Sequence, residues 1–250
     1  MEPLSVVLPV YDELRRIDAG LAGLRTLASA WEGPVTAIFV DDGSTDGTAD
    51  ALEARLATLR QTGEGPNCEV HVVRRAHAGK GAALRAGAAH TGSADWVLFT
   101  DVDWSVPPRE VLRLYEVARS RQADVVIATR EGLGARRVGE PIWRHLVGRA
   151  FNTLVQSWVL AGHPDTQCGF KLLRGEAARD LFAKTTLDGW AIDVELLVLA
   201  HAEGLRVEEV PVSWRYEPDS RVRVLGDALG TAREVWAVRW RWRTGAVGRR

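Results

Sequence analysis

Cysteine is nearly absent from this sequence: Cys68 and Cys168 are the only two in 250 residues, and neither belongs to a CxxC pair. That spacing argues against a zinc ribbon or a disulfide-built secreted domain, and it predicts a reducing, cytoplasmic compartment. Long apolar runs are missing as well. Nowhere do eighteen apolar residues follow one another, since the stretches at 154–161 and 194–202 are short and interrupted, so no transmembrane helix is expected. The first residues, Met1-Glu2-Pro3 and then Leu4-Ser5-Val6-Val7-Leu8, lack a basic stretch and read as a first strand, not a signal peptide. No charge sign dominates either. With 32 basic against 33 acidic residues and a net charge of -1, no chain-wide positive field exists to gather nucleic acid, and any electropositive site must be local.

What is present is an alternation. Short β-branched runs are separated by longer stretches of helical period, the pattern of βαβ units that build a mainly parallel sheet flanked by helices. Strands are expected at 4–10, 35–40, 69–73, 96–100 and 125–129. Helices are expected at 13–31, where Ile17, Leu21, Leu24 and Leu27 recur at helical spacing, and at 48–59, 79–90 and 109–119. Pro107-Pro108 suits the opening turn of the last of these. Residues 132–139 are rich in Gly and Arg without periodicity and predict a mobile loop. A further helix is expected over 142–160, and the chain beyond Asp227 predicts a helix loaded with Trp and Arg. There is no repeat or low-complexity linker, so one α/β domain over 1–226, followed by a basic amphipathic helical tail at 227–250, is the expected organisation.

In such sheets, ligands collect outside the carboxyl ends of the strands. The conspicuous polar residues fall there. Asp41-Asp42-Gly43-Ser44-Thr45-Asp46-Gly47-Thr48 follows the second strand. One side chain suffices to cap the next helix, so the paired carboxylates exceed that need and suit hydrogen-bond donors of a nucleobase or ribose. Asp101-Val102-Asp103 ends the fourth strand. In an extended tip, alternate residues point the same way, so Asp101 and Asp103 can converge on one hard cation such as Mg2+ or Mn2+, which would neutralise a diphosphate leaving group. Between them, Arg74-Arg75-Ala76-His77-Ala78-Gly79-Lys80-Gly81 precedes a helix, whose N-terminus together with Lys80 can hold an anion.

These residues carry a resemblance. Pro9-Val10-Tyr11-Asp12-Glu13, the run from Asp41 to Thr48, and Asp101-Val102-Asp103 resemble, in order and spacing, the three donor-site signatures of family 2 glycosyltransferases with the GT-A fold. The resemblance implies that Pro9, Tyr11, Glu13, Asp41, Asp42, Lys80 and Val102 surround a nucleotide sugar, and that Asp101 and Asp103 hold Mg2+ or Mn2+ against its diphosphate. Asp12 stands where the family usually has Asn, and His77 where its N-x-G-K-G segment usually has Asn.

The second half is similar to the dolichyl-phosphate glucosyltransferase and mannosyltransferase branch. The similarity lies in the run from Asp165 to Leu172, in Trp190-Ala191-Ile192-Asp193-Val194-Glu195, in Glu209-Val210-Pro211-Val212-Ser213-Trp214-Arg215, and in Ser220-Arg221-Val222. It implies transfer, with inversion, of a hexose from UDP-glucose, or from GDP-mannose as the alternative, to a polyprenyl phosphate. A phosphate monoester is already ionised near neutral pH, so the enzyme has to supply charge compensation and in-line placement more than a strong base. Lys171, Arg215 and Arg221 are the matching cations, and Arg130, Arg136 and Arg137 are candidate acceptor-phosphate contacts. Asp165 is open to two readings: it orients Lys171 and the acceptor, or it serves as base for a hydroxyl acceptor. Asp193 and Glu195 sit two apart on a helical stretch, which sends them to different faces, one toward the site and the other toward an arginine. Trp236, Trp240 and Trp242, interleaved with Arg233, Arg239, Arg241 and Arg243, suit the headgroup zone of a membrane or, alternatively, packing on the core. The expected protein works from the cytoplasmic face of a membrane as a peripheral enzyme; the rivals are an enzyme with a hydroxyl acceptor and a non-catalytic nucleotide-binding scaffold.

Overall fold

The strands expected from the first half form in order in the computed structural model, which describes residues 1–159, 162–217 and 224–243. They are β1 (Leu4–Val10), β2 (Val35–Asp41), β3 (Glu69–Arg74), β4 (Trp96–Phe99) and β5 (Val125–Thr129). Between them lie α1 (Ile17–Ala30), α2 (Thr48–Thr62), α3 (Lys80–Ala89) and α4 (Glu110–Ser120). Beyond β5 come β6 (Arg136–Val138), α5 (Ile142–Trp158), β7 (Lys171–Arg174), α6 (Gly175–Lys184), α7 (Ile192–Ala202), β8 (Val207–Pro211), β9 (Ser213–Arg215) and α8 (Val224–Arg243).

The main sheet has the order β3-β2-β1-β4-β7-β5-β8. All its pairings are parallel except those of β7, which runs antiparallel between β4 and β5. Register decides where the chemistry gathers. Val10 lies opposite Asp41 and Asp41 opposite Arg74, so the turns after β1, β2 and β3 leave one edge side by side. Lys171, the first residue of the reversed β7, lies opposite Phe99 and Ile127 and enters at that same edge.

Alternation along the strands feeds two apolar layers. Leu4, Val6, Leu8 and Val10 of β1 face α1, α2 and α4, while Val7 faces the layer under α3, α6 and α7. Each fully buried Leu or Val contributes roughly 1.5–3 kcal/mol, and Leu8, Leu24, Ile38 and Leu98 are all fully enclosed. Helix α7 is buried over Ile192–Ala200, its Asp193 and Glu195 included. Helix α8 closes over α7 and α5 through Val235, Val238 and Thr231, and it begins at Val224, so the expected boundary at 226/227 falls inside one continuous helix.

Three sequence expectations are corrected. Residues 132–139 are not a structureless loop: β6 pairs in parallel with β9, through Arg136 N–H to the Val212 carbonyl (3.1 Å) and Tyr216 N–H to the Val138 carbonyl (2.9 Å). A three-residue strand whose partner is over seventy positions away leaves no local period. The helix expected from residue 13 is a 3-10 turn at Leu14–Arg16 followed by α1. Strand β7 was not anticipated, because four residues in a buried run carry no distinctive alternation.

Helix α3 crosses β1 at Gly87, where an added Cβ would meet Val7 Cγ1 at 2.3 Å and Val40 Cγ2 at 3.1 Å. Gly87→Ala is therefore expected to destabilise the protein by about 1–3 kcal/mol through overpacking, despite the better helix propensity of alanine. Urea unfolding measures this; a variant as stable as the parent would mean that α3 can shift off the sheet at no cost.

Candidate active site

The donor-side turns are tied to one another. Asp12 adopts a left-handed backbone (φ 52), a conformation that Asn and Asp tolerate best. Its Oδ1 accepts from the Thr45 N–H at 2.7 Å and the Asp46 N–H at 3.3 Å, while its own N–H donates to Ser44 Oγ at 2.9 Å. An acceptor oxygen is all this junction requires, and the Asp12 carboxylate supplies it. Gly43, at φ 76, lets the next loop approach: a Cβ there would stand 2.6 Å from the His77 nitrogen. His77 then stacks on Tyr11 with ring centroids 4.2 Å apart. Pro9 is partly buried opposite Val40, and Glu13 is ion-paired with Arg16 at 3.1 Å.

Asp41 and Asp42 divide the labour. Asp42 is internal: it accepts from the Gly79 N–H (2.7 Å) and the Ala78 N–H (3.2 Å), pairs with Arg75, and lies 2.9 Å from His77 Nδ1. Its carboxylate shapes the basic loop. Among the described residues, Asp41 accepts from the Ser44 N–H (3.2 Å) through Oδ2, and its buried Oδ1 has no hydrogen-bond partner. A buried acceptor left open is costly unless a donor arrives, so Asp41 fits a base or ribose N–H or O–H.

At the end of β4, Asp101 and Asp103 line the same pocket. Burial and the neighbouring Asp101 charge push the Asp103 carboxyl above its ordinary value, against hydrogen bonds from Ser105. Burial would raise Asp101 too, but Lys80, Lys171 and Arg130 outweigh it and hold that carboxyl low. Like charges forced together in this way fit a divalent cation. Gly169 faces them because nothing larger fits: its Cβ would meet Asp101 Oδ2 at 2.3 Å.

Lys80 donates to Asp101 Oδ1 at 2.7 Å and lies 5.2 Å from the Trp190 ring. Burial pulls its ammonium down, yet Asp101, Asp193 and Asp103 overcome that and keep it charged. At the α3 N-terminus, the Asp188 carbonyl accepts from the Gly81 (2.7 Å) and Ala82 (3.4 Å) N–H groups. The Val102 side chain is buried against Gly20 of α1, whose Cβ would meet Val102 Cγ2 at 2.5 Å.

The same pocket is also lined by cationic and aromatic side chains. Arg130 grips Asp165 through Nε and Nη2, each at 2.7 Å, and its backbone N–H adds a third bond at 2.9 Å. Burial would raise the Asp165 carboxyl, but Arg130 lowers it to about 2. Arg137 is held by Glu131 (2.9 Å) and Glu140 (2.7 Å). The Trp214 ring is near both arginines, 5.4 Å from Arg130 and 5.9 Å from Arg137. Arg144 of α5 joins them, resting 5.1 Å from the Tyr216 ring.

Other sequence candidates fall elsewhere. Lys171 is buried and donates to Asp193 Oδ1 at 2.7 Å and to the Cys168 carbonyl, so it supports the pocket floor instead of presenting a free ammonium. Asp193 lines the pocket, while Glu195 faces Thr186 (2.8 Å) and Arg241 (3.2 Å). Arg136 and Arg215 are exposed and line no part of the pocket. Parity is the reason: Arg137 and Trp214 are register partners in the β6–β9 pair, so their chain neighbours point the other way. Arg221 lies outside the described residues. Sequence reading missed Arg144, Trp214 and Tyr216; the signal for Arg144 was its helical i, i+4, i+8 series with Gly148 and Asn152, which places the three on one face of α5.

A family model described as glycosyl transferase family 2 matches residues 5–182, well over half of the chain. The chain is 32% identical over 239 residues to a dolichyl-phosphate beta-glucosyltransferase of Trichomonas vaginalis, a match covering 89% of this chain and 66% of that protein. It is 28% identical to the dolichyl-phosphate beta-glucosyltransferase of Saccharomyces cerevisiae (94% of this chain, 74% of that one). Glycosyltransferase AglD of Haloferax volcanii is 29% identical across 95% of this chain, which spans only 37% of that protein. Among solved structures, glucosyl-3-phosphoglycerate synthase of Mycobacterium tuberculosis in complex with Mn2+, UDP-glucose and phosphoglyceric acid superposes with a TM-score of 0.67 at 20% identity, covering 96% of this chain and 79% of that one. That likeness shows the fold, the mainly parallel GT-A sheet.

Asp165 and Arg130 form a buried pair that cannot lose one member cheaply. Asp165→Ala is expected to cost roughly 3–5 kcal/mol in urea unfolding at neutral pH. Because the folded-state value, about 2, lies below the ordinary 3.8, the pair's contribution is complete above pH 4 and is lost as pH falls toward 2. The variant should lack that part of the acid-induced loss; an unchanged acid profile would remove Asp165 as its source.

Proposed function

The chain belongs to glycosyl transferase family 2, and from that membership we propose that it transfers a hexose, glucose from UDP-glucose being favoured over mannose from GDP-mannose, to a polyprenyl phosphate with inversion. The observation that carries this reading is a single pocket lined both by an acidic pair, Asp101 and Asp103, and by three arginines, Arg130, Arg137 and Arg144. The relatives named as dolichyl-phosphate beta-glucosyltransferases support the same substrates.

In this reading the nucleotide lies along Tyr11, His77 and Asp41, whose unpartnered Oδ1 accepts from base or ribose. Asp101 and Asp103 would hold Mg2+ or Mn2+, which when bound neutralises the diphosphate. Lys80 stands beside Asp101 as a fixed cation on the leaving-group side. On the acceptor side, Arg144 and Arg137 take the lipid phosphate, and Trp214 and Tyr216 keep the arginine planes in place. A phosphate oxygen forms the new bond to the anomeric carbon while the bond to the nucleoside diphosphate breaks, and the diphosphate leaves with the electron pair. No proton has to be removed from a phosphate dianion. The hydroxyl-acceptor alternative asks Asp165 or Asp193 to be a base, yet Arg130 and Lys171 hold both as ion pairs.

The proposed working place is a membrane surface at its cytoplasmic face, in keeping with two unpaired cysteines. No helix among the described residues is long and apolar enough to cross a membrane. Ile142, Trp143 and Leu146 of α5 are exposed at 78%, 58% and 59%, and Trp236 and Trp240 of the adjoining α8 at 57% and 61%. Both helices therefore offer apolar side chains suited to the headgroup zone, next to the acceptor wall.

Two measurements test the reading. With UDP-glucose and a short polyprenyl phosphate, Asp103→Ala should lower turnover on the order of 100-fold, and Arg144→Ala should raise KM for the lipid about tenfold or more with little change in KM for the nucleotide sugar. Unaltered turnover in the first, or a KM effect confined to the sugar donor in the second, would reverse the assignment of these residues. Sedimentation with anionic vesicles should pull down the parent chain and leave a Trp143→Ser, Trp240→Ser variant in solution; equal sedimentation would remove the lipid-surface role of these helices.

A further inference from the structure

Away from the pocket, two imidazoles face each other. His201 sits on the last turn of α7, and His163 on the loop leading to Asp165; their rings meet edge-on, with centroids 5.0 Å apart at 75° and the two Nε2 atoms separated by 3.3 Å. Each ring's other nitrogen is committed. His163 Nδ1 lies 2.5 Å from Oε1 of Glu209 on β8, and His201 Nδ1 lies 2.8 Å from the Leu197 carbonyl oxygen. A carboxylate and a carbonyl only accept, so in each neutral ring the proton belongs on Nδ1 and Nε2 presents a lone pair. Two lone pairs then point at one another across 3.3 Å, an arrangement that calls for a cation between them.

The geometry identifies the cation. A proton shared between imidazoles draws the nitrogens into the charge-assisted range of about 2.7–2.9 Å. Two imidazole nitrogens on one tetrahedral ion, each at about 2.05 Å, stand about 3.3 Å apart instead. The partners on the far side fit as well, because metal-bound imidazoles pass their second N–H to a carboxylate or a backbone carbonyl. Glu209 and Leu197 are one of each. Among the described residues no group of three or more His, Cys, Asp or Glu is placed to hold a metal, so the remaining positions fall to solvent, which reaches the exposed His201.

We propose that His163 and His201 form a binding site for a borderline-soft divalent transition ion of the Zn2+ class, fastening the loop before β7 to the end of α7. The consequence reaches the pocket, since this loop carries Asp165, which grips Arg130, and Gln167 and Gly169, which line the cavity. Imidazole donors select against Mg2+, whereas the Asp101 and Asp103 oxygens favour it, so the two sites separate by chemistry.

The test uses the full chain, stripped with chelator and then saturated with Mg2+. Calorimetric titration with Zn2+ should show one ion bound, with affinity falling at least tenfold in His201→Ala and by on the order of 10–100-fold in Glu209→Gln, which touches only the far side of His163. Zn2+ should raise the parent's unfolding midpoint and not that of His201→Ala, while both unfold alike in chelator because His201 is exposed. With Cu2+ as the probe, electron paramagnetic resonance should show coupling to two nitrogens in the parent. Absence of Zn2+ binding at saturating Mg2+, unchanged binding in His201→Ala, or binding lost only in Asp103→Ala would each overturn the proposal.

Discussion

Carboxylates gathered at the ends of neighbouring strands repel one another, and much of this molecule is arranged around compensating that repulsion. Asp101, Asp103 and Asp193 all line one pocket. Lys80 answers the first, Lys171 the third, and Asp103 is left with hydrogen bonds from Ser105 and a raised carboxyl. The compensation depends on topology. Only a reversed strand between β4 and β5 brings Lys171 in at the edge where parallel strands deliver their acids, and only glycine at 169 leaves room beside Asp101. The pairs at 80/101 and 171/193 thus hold the end of β4, the start of α3, β7 and α7 in one frame.

How much of this could be read in the sequence follows from how local each cause is. The parallel half was legible because strand and helix periods are local, and the acids at its strand ends stand out against apolar runs. The roles within the acidic pairs were not legible. Adjacent Asp41 and Asp42 look equivalent in the chain, yet one has a buried oxygen without a partner among the described residues and the other is consumed by the Arg75–Gly79 loop. The difference is made by a segment more than thirty positions away. In the second half the facing of residues within the motifs was not legible. Arg215 was favoured over Trp214 and Arg136 was set equal to Arg137, because a charge is conspicuous and the facing of a three-residue strand is not.

The basic wall shows why conspicuous charge misleads. Isolated, Arg130 and Arg137 would each present a full guanidinium to a ligand. In the structure Asp165 takes two nitrogens of Arg130, and Glu131 and Glu140 hold Arg137. Such pairing lowers the net positive charge while fixing the planes, and Trp214 near both limits their remaining freedom. Arg144 differs, since it reaches the pocket from a helix and rests on Tyr216. A wall with anchored cations and one on a separate helix suits an anion that enters from the side of α5.

That division bears on the acceptor. A hydroxyl nucleophile needs a carboxylate free to take up its proton, and both candidate acids are committed to ion pairs. Asp165 is driven down to about 2 by Arg130, a value unsuited to removing a proton from an alcohol. Asp193 is spent on Lys171. Asp103 is raised, but it belongs with Asp101 on the donor side, where its charge suits a cation. An acceptor that arrives already ionised asks nothing of these residues beyond what they do: hold arginines at fixed positions and keep the pocket floor rigid. The proposed lipid acceptor accords with the exposed apolar edge of α5, where Ile142, Trp143 and Leu146 flank Arg144.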